Sequence, residues 1–146
     1  MSAAEVLRRL RLLLLLLSAL LFVGTLVELW LVNHTEDFIQ WVAFILVGLG
    51  LFSLILVLVL RRRKTILVLR TCMLLVVLGS LFGVYEHVVN NIEFQREIQP
   101  NSTSGELAWK GLSGANPLLA PGTLAIAAIM ALAGAYRYEV TGDDPR

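Results

Sequence analysis

The chain has 146 residues, 58% of them hydrophobic and 16% charged, and a formal net charge of +1. Uncharged runs long enough to cross a bilayer exclude a soluble single domain in practice, and a near-neutral chain whose arginines flank apolar runs does not suit nucleic acid. The single cysteine, Cys72, lies inside such a run, which excludes an internal disulfide and any CxxC redox or zinc motif.

The first residues, MSAAEVLRRLRLLLLLLSALLFVG, carry the arginines and leucine run of a secretory signal but no small-x-small cleavage site, so they read as a retained first helix. Counted from the last basic residue of each cluster, the apolar segments are Leu12 to Val32, Phe38 to Leu60, Thr65 to Val89 and Leu118 to Tyr138. Each supplies the ~20 residues that cross ~30 Å of hydrocarbon. Backbone in lipid must satisfy its own hydrogen bonds, which predicts helices. A few residues join the first two segments and RRRK joins the next two, so each connection predicts an antiparallel turn. The expected fold is an all-α membrane protein, one domain over 1–146. Its four transmembrane helices form two antiparallel hairpins, and a short helical extramembrane loop at about 90–117 separates helices three and four. Within that loop NNIEFQREI keeps helical character, ELAWKGL suits a short interfacial helix with Leu107, Trp109 and Leu112 toward lipid or protein, and Pro117 and Pro121 suit a helix start.

Ten of the twelve Lys and Arg residues cluster on one side: Arg8, Arg9, Arg11, Arg61, Arg62, Arg63, Lys64, Arg70, Arg137 and Arg146. Arg96 and Lys110 alone lie on the other, which predicts both termini in the cytoplasm. Arg70, inside the third segment, is expected to snorkel back to the boundary without a special role. The opposite face is acidic, and Trp30, Trp41 and Trp109 fall near it, at headgroup level. Small residues mark close helix approach: Gly79 and Gly83 form a GxxxG pair, and Ala127, Ala131 and Ala135 repeat every fourth position. These stripes serve either a homo-oligomer or protein-partner seam or packing within one chain.

The candidate site lies at the acidic end. The first segment ends in ELWLVNHTED, with Glu28, His34, Glu36 and Asp37; the third ends in GVYEHVVNNIEFQREIQP, with Glu86, His87, Asn90, Asn91, Glu93 and Glu97. Glu28 lies seventeen positions past Arg11 and Glu86 sixteen past Arg70, which puts both carboxylates ~25 Å along their helices, in one layer. Three readings fit: helix ends wetted by solvent, a buried polar network including Asn91, Glu93, Glu97, Glu36 and Asp37, or a metal or small-cofactor site of His34, His87, Glu28 and Glu86. Two histidines with carboxylates suit a divalent metal such as zinc or manganese, although no ligand spacing enforces it. No phosphate loop, nucleophile elbow or HExxH sequence is present, so no enzyme activity is expected.

Together, ELWLVNHTEDFIQ, GVYEHVVNNIEFQREIQP, SGANPLLAPG and AYRY resemble a family of small bacterial integral membrane proteins of four helices, known as hypothetical proteins. The resemblance covers most of the chain. It singles out Glu28, His34, Glu36, Asp37, His87, Asn91, Glu93, Phe94, Glu97, Gly114, Pro117, Pro121 and Gly122, while Glu86 and Asn90 depart from the family pattern. It implies a bacterial inner membrane and nothing catalytic. The leading expectation is a non-enzymatic accessory or structural subunit that contacts a partner through its acidic outer face. The alternatives are a metal- or cofactor-binding membrane protein with its site at the outer boundary, and a small oligomeric transporter.

Overall fold

The computed structural model describes residues 1–35 and 37–136. Glu36, assigned above to the polar network, and the continuation of the fourth segment to Tyr138, with Arg137 and Arg146 beyond the described part, lie outside these residues. The described chain is helical without strands: α1 is Ala3–Leu31, a single 3-10 turn covers Phe38–Gln40, and α2 is Trp41–Leu60. After these come α3, Arg63–Ile98, α4, Ser104–Ser113, and α5, Leu119–Gly134.

Three stretches, Ala3–Leu31, Phe38–Leu60 and Arg63–Ile98, are long and apolar enough to cross a membrane, whereas α5 is apolar but only 16 residues long. Two boundaries differ from the sequence expectation. α1 begins at Ala3 rather than Leu12 because arginine does not interrupt a helix, and because Ser2 and Glu5 close a capping box. The Ser2 amide donates to Glu5 Oε2 at 2.9 Å and the Glu5 amide to Ser2 Oγ at 3.3 Å. α3 continues unbroken past Val89 to Ile98, and at 36 residues it is ~54 Å long, well beyond the ~30 Å of hydrocarbon. The turn after α1 passes through Asn33 at φ 50°, a left-handed conformation that asparagine tolerates well. The turn after α2 uses Arg61 at φ 45°, with its amide donating back to the Val57 carbonyl at 3.1 Å.

The four long helices pack as a ring, α1 beside α2, α2 beside α3, α3 beside α5, and α5 beside α1. α2 and α5 touch across the diagonal, whereas α1 and α3 do not. Small residues permit these approaches: an added methyl at Gly50 of α2 would lie 2.5 Å from the fully buried Phe22 ring of α1. The predicted small-residue stripes are occupied inside the chain. Gly79 faces Leu46, Gly83 faces Pro121, and Ala127, Ala131 and Ala135 are fully buried. A buried hydrogen bond joins α1 directly to α5, Ser18 Oγ donating to the Ala127 carbonyl at 2.8 Å. Arg70 also has a role that the sequence reading denied it. Its Nη2 donates to the Ala135 carbonyl at 3.0 Å and satisfies an oxygen that the end of α5 leaves without a helical partner.

Apolar side chains cover the outside of the ring as well as its core. Leu20, Ile55, Leu67, Leu78 and Ile126 are all exposed, each on a different face or level of the bundle. A chain that is hydrophobic all round suits a lipid surrounding. One end of the bundle is basic, with Arg8, Arg9 and the 61–64 turn, and the other carries the acidic cluster.

Candidate functional site

Past the apolar part of α3, successive residues turn by ~100°, and the polar cluster divides among three faces. Glu86, His87 and Asn90 line a cavity at the acidic end of the ring. Asn91 and Gln95 are buried toward α4. Glu93, Phe94 and Glu97 are exposed, so these two carboxylates take no part in a buried network.

The α4 face is a latch. Asn91, 2% exposed, donates from Nδ2 to the carbonyls of Gly111 at 3.1 Å and Asn116 at 3.0 Å, and its Oδ1 accepts from the Asn116 amide at 2.8 Å. Its side chain occupies the space that a Cβ on Gly114 would need, which explains a glycine there. Gly111 lets α4 sit directly on Val88 and Ile92. Gln95 extends the latch, donating to Gln99 Oε1 at 2.7 Å and Ser102 Oγ at 3.2 Å. α4 itself starts from a capping box in which Glu106 Oε2 accepts from the Thr103 amide at 2.7 Å and hydroxyl at 2.9 Å. Those bonds lower the Glu106 carboxyl below its ordinary value. Leu107 is half-buried, while Trp109 and Leu112 point outward, Trp109 being 67% exposed.

The cavity measures about 340 Å³, within the lower range of small-molecule sites, ~300–1,000 Å³. The α1 and α3 backbones stay apart across the ring, and small residues line the space between: Ala43 on α2, Gly79, Ser80 and Gly83 on α3, and Ala120 on α5. Glu28, His34, Asp37, Glu86, His87, Asn90 and Asn116 supply its polar wall, and Leu29, Leu46, Phe82 and Leu124 belong to its apolar part. Glu28 and Asp37 are exposed and Glu86 is half-buried; none of the three has an ion-pair partner among the described residues.

Proton positions on the histidines follow from their surroundings. His87 Nδ1 lies 2.9 Å from the Pro117 carbonyl, which can only accept, so Nδ1 carries the proton and Nε2 is left for another contact. His34, in the turn after α1, titrates below its ordinary 6.5, first because burial disfavours the charged ring and then because of the neighbouring His87. The sign is that of a depressed histidine. The packed turn keeps its full contribution to stability above 6.5 and loses it as pH falls through the lowered folded value, because the unfolded chain binds the proton more readily. An NMR titration of the His34 ring is expected to give a midpoint below 6.5, and His87→Gln to move it part of the way back. A midpoint unchanged by His87→Gln would remove the coupling.

The four residues proposed as metal ligands therefore share one cavity wall: Glu28 and His34 from the end of α1 and its turn, Glu86 and His87 from α3. Among the described residues, however, no three His, Cys, Asp or Glu side chains form a group that could hold a metal ion. Asp37 joins the wall, and Asn91 belongs to the latch instead. Sequence reasoning missed Ser80 and Asn116 as cavity residues and Gln95 and Gly111 as latch residues; the glycine at 111 was the available signal for the latch, and nothing in the sequence marked Ser80. The fold and site thus describe an all-helical chain of membrane-protein character with a polar cavity at one end. No protein-family model matches the chain, and no curated protein or solved structure matches it either. The resemblance to bacterial four-helix proteins accordingly rests on the quoted motifs.

Proposed function

We propose that this is a four-span integral protein of the bacterial inner membrane, with both termini cytoplasmic, and that it is a non-enzymatic binding protein whose outer-end cavity receives a small ligand. α5 serves as the fourth span, and the excess of arginines at the basic end supports the orientation. One observation carries the reading. Glu28 at the end of α1, His34 in the turn after it, and Glu86 and His87 on α3 belong to elements whose backbones stay apart, and they nevertheless wall a single cavity with an apolar interior. That combination, a largely preformed concave space with a few convergent polar groups, is what ligand sites share.

A divalent metal is the second ligand class, supported by the imidazole and carboxylate donors, and it would require those side chains to draw closer than they stand. An accessory-subunit role through the acidic face has no comparable geometric feature to support it among the described residues. For transport, a single chain has little room: on the basic side of Ser80 the ring is filled by Phe22, Val47, Met73 and Val76, all fully buried.

Cysteine labelling tests both orientation and cavity. In a Cys72→Ser background, Ala120→Cys is expected to react with a small membrane-impermeant thiol reagent added from outside, as is Ser104→Cys, whereas Ile126→Cys on the exposed apolar face is not. An inert Ala120→Cys beside a reactive Ser104→Cys would end the binding reading, and an inert Ser104→Cys would invert the orientation.

A further inference from the structure

The binding reading leaves open what enters the cavity, and three features of the wall restrict the choice. The first is charge. Glu28, Asp37 and Glu86 line the space, no lysine or arginine does, and no described cation pairs with any of the three carboxylates. A neutral His34 adds nothing to offset them, so the mouth is negative around pH 7. The second is polarity by depth. Ser80 lies six residues before Glu86 on α3, ~9 Å further into the ring, and the walls at that level come from Leu46, Gly79 and Leu124. The third is an orphan hydroxyl. Ser80 is 1% exposed, lines the cavity, and carries the one buried side-chain polar atom without a hydrogen-bond partner among the described residues. A buried hydroxyl is normally satisfied, and a helical serine has the carbonyl one turn back within reach. An unsatisfied one on a cavity wall is open to a partner from outside the chain, a ligand atom or water.

We propose that the cavity binds an amphipathic amine: a cationic head held among Glu28, Asp37 and Glu86, an apolar body between α2, α3 and α5, and a polar atom at its inner end that meets the Ser80 hydroxyl. The proposal rests on the binding reading above. The separation between the carboxylates and Ser80 suits an arylalkylamine, and the cavity volume suits one of modest size. Asn90 and His87 Nε2 stand beside the head as further acceptors.

The test uses the full chain in lipid nanodiscs and reads protection of Ala120→Cys from thiol labelling. The probes share one body: tyramine, its alcohol analogue tyrosol, and its carboxylate analogue hydroxyphenylacetate, with phenethylamine lacking the far hydroxyl. Tyramine is expected to protect at concentrations about ten-fold lower than tyrosol, with hydroxyphenylacetate weaker still, a difference of the size that a few partly solvated charges supply. The triple variant Glu28→Gln, Asp37→Asn, Glu86→Gln removes that preference while leaving the shape intact. Ser80→Ala, which removes a hydroxyl that makes no hydrogen bond within the described chain and so keeps the fold, abolishes the advantage of tyramine over phenethylamine. Equal protection by tyrosol and tyramine would overturn the amine assignment and leave a binding cavity in place. Efficient labelling that no probe slows would overturn the assignment as well. Failure of Ala120→Cys to label at all would overturn the binding reading along with it.

Discussion

Asn91→Leu is expected to detach the α4 region from α3 while leaving the long helices intact. The substitution keeps the volume in a site that is 2% exposed and removes all three hydrogen bonds to Gly111 and Asn116. The Gly111 carbonyl then stays buried without a partner, and the two Asn116 groups lose theirs at the start of the approach to α5. Each buried orphan costs ~1–3 kcal/mol, so a loss of about 3 kcal/mol is expected, more than a short latch helix can absorb. Limited proteolysis should cut between Gln99 and Pro117 in the variant and leave the parent uncut there, with little change in total helicity. Because Asn116 and Pro117 also line the cavity, the same variant should lose ligand protection. Uncut protein at matched protease would show that apolar contacts of Gly111 with Val88 and Ile92 hold α4 without the asparagine.

Gly50→Val acts on the ring itself. An added Cβ would meet the Phe22 ring at 2.5 Å, and that ring is fully buried, so relief requires α1 and α2 to separate. Overpacking of this kind costs ~1–3 kcal/mol and more when backbone must move. We expect about 3 kcal/mol of destabilisation in a denaturing-detergent titration followed by circular dichroism. Gly48→Ala on the same helix, with open space around it, should change stability by less than about 1 kcal/mol in either direction. Phe22→Leu combined with Gly50→Val is expected to recover much of the loss, since the clash belongs to the pair. A harmless Gly50→Val would mean that the α1–α2 approach is looser than this packing.

The helices were legible because uncharged length in lipid has one structural solution, and the turns because arginines and prolines bracket them. The ends were not. Hydropathy locates the hydrocarbon, whereas a helix ends where its backbone finds caps, and Ser2 with Glu5 and Thr103 with Glu106 settle two of those ends outside any apolar run. The convergence of the acidic ends was legible, in that Glu28, His34, Glu86 and His87 line one cavity. The place of Asn91 was not, because five residues from Glu86 is ~140° around a helix, enough to turn it from cavity to latch. Ser80 was invisible for a different reason. Its importance lies in what fails to touch it, and an absent neighbour leaves no mark in the residues on either side.

The hydrogen bond from Arg70 to Ala135 also bears on the bilayer. At 16 residues, α5 is ~24 Å long, several ångströms less than a typical hydrocarbon core. The guanidinium holds the end of α5 against α3. As the fourth span, α5 would leave its flank of the protein mismatched while the other spans fit. Local thinning of the leaflet at that end, or clustering of short-chain lipids there, would follow. The protein would then favour thin membranes, and its thermal stability should rise as acyl chains shorten.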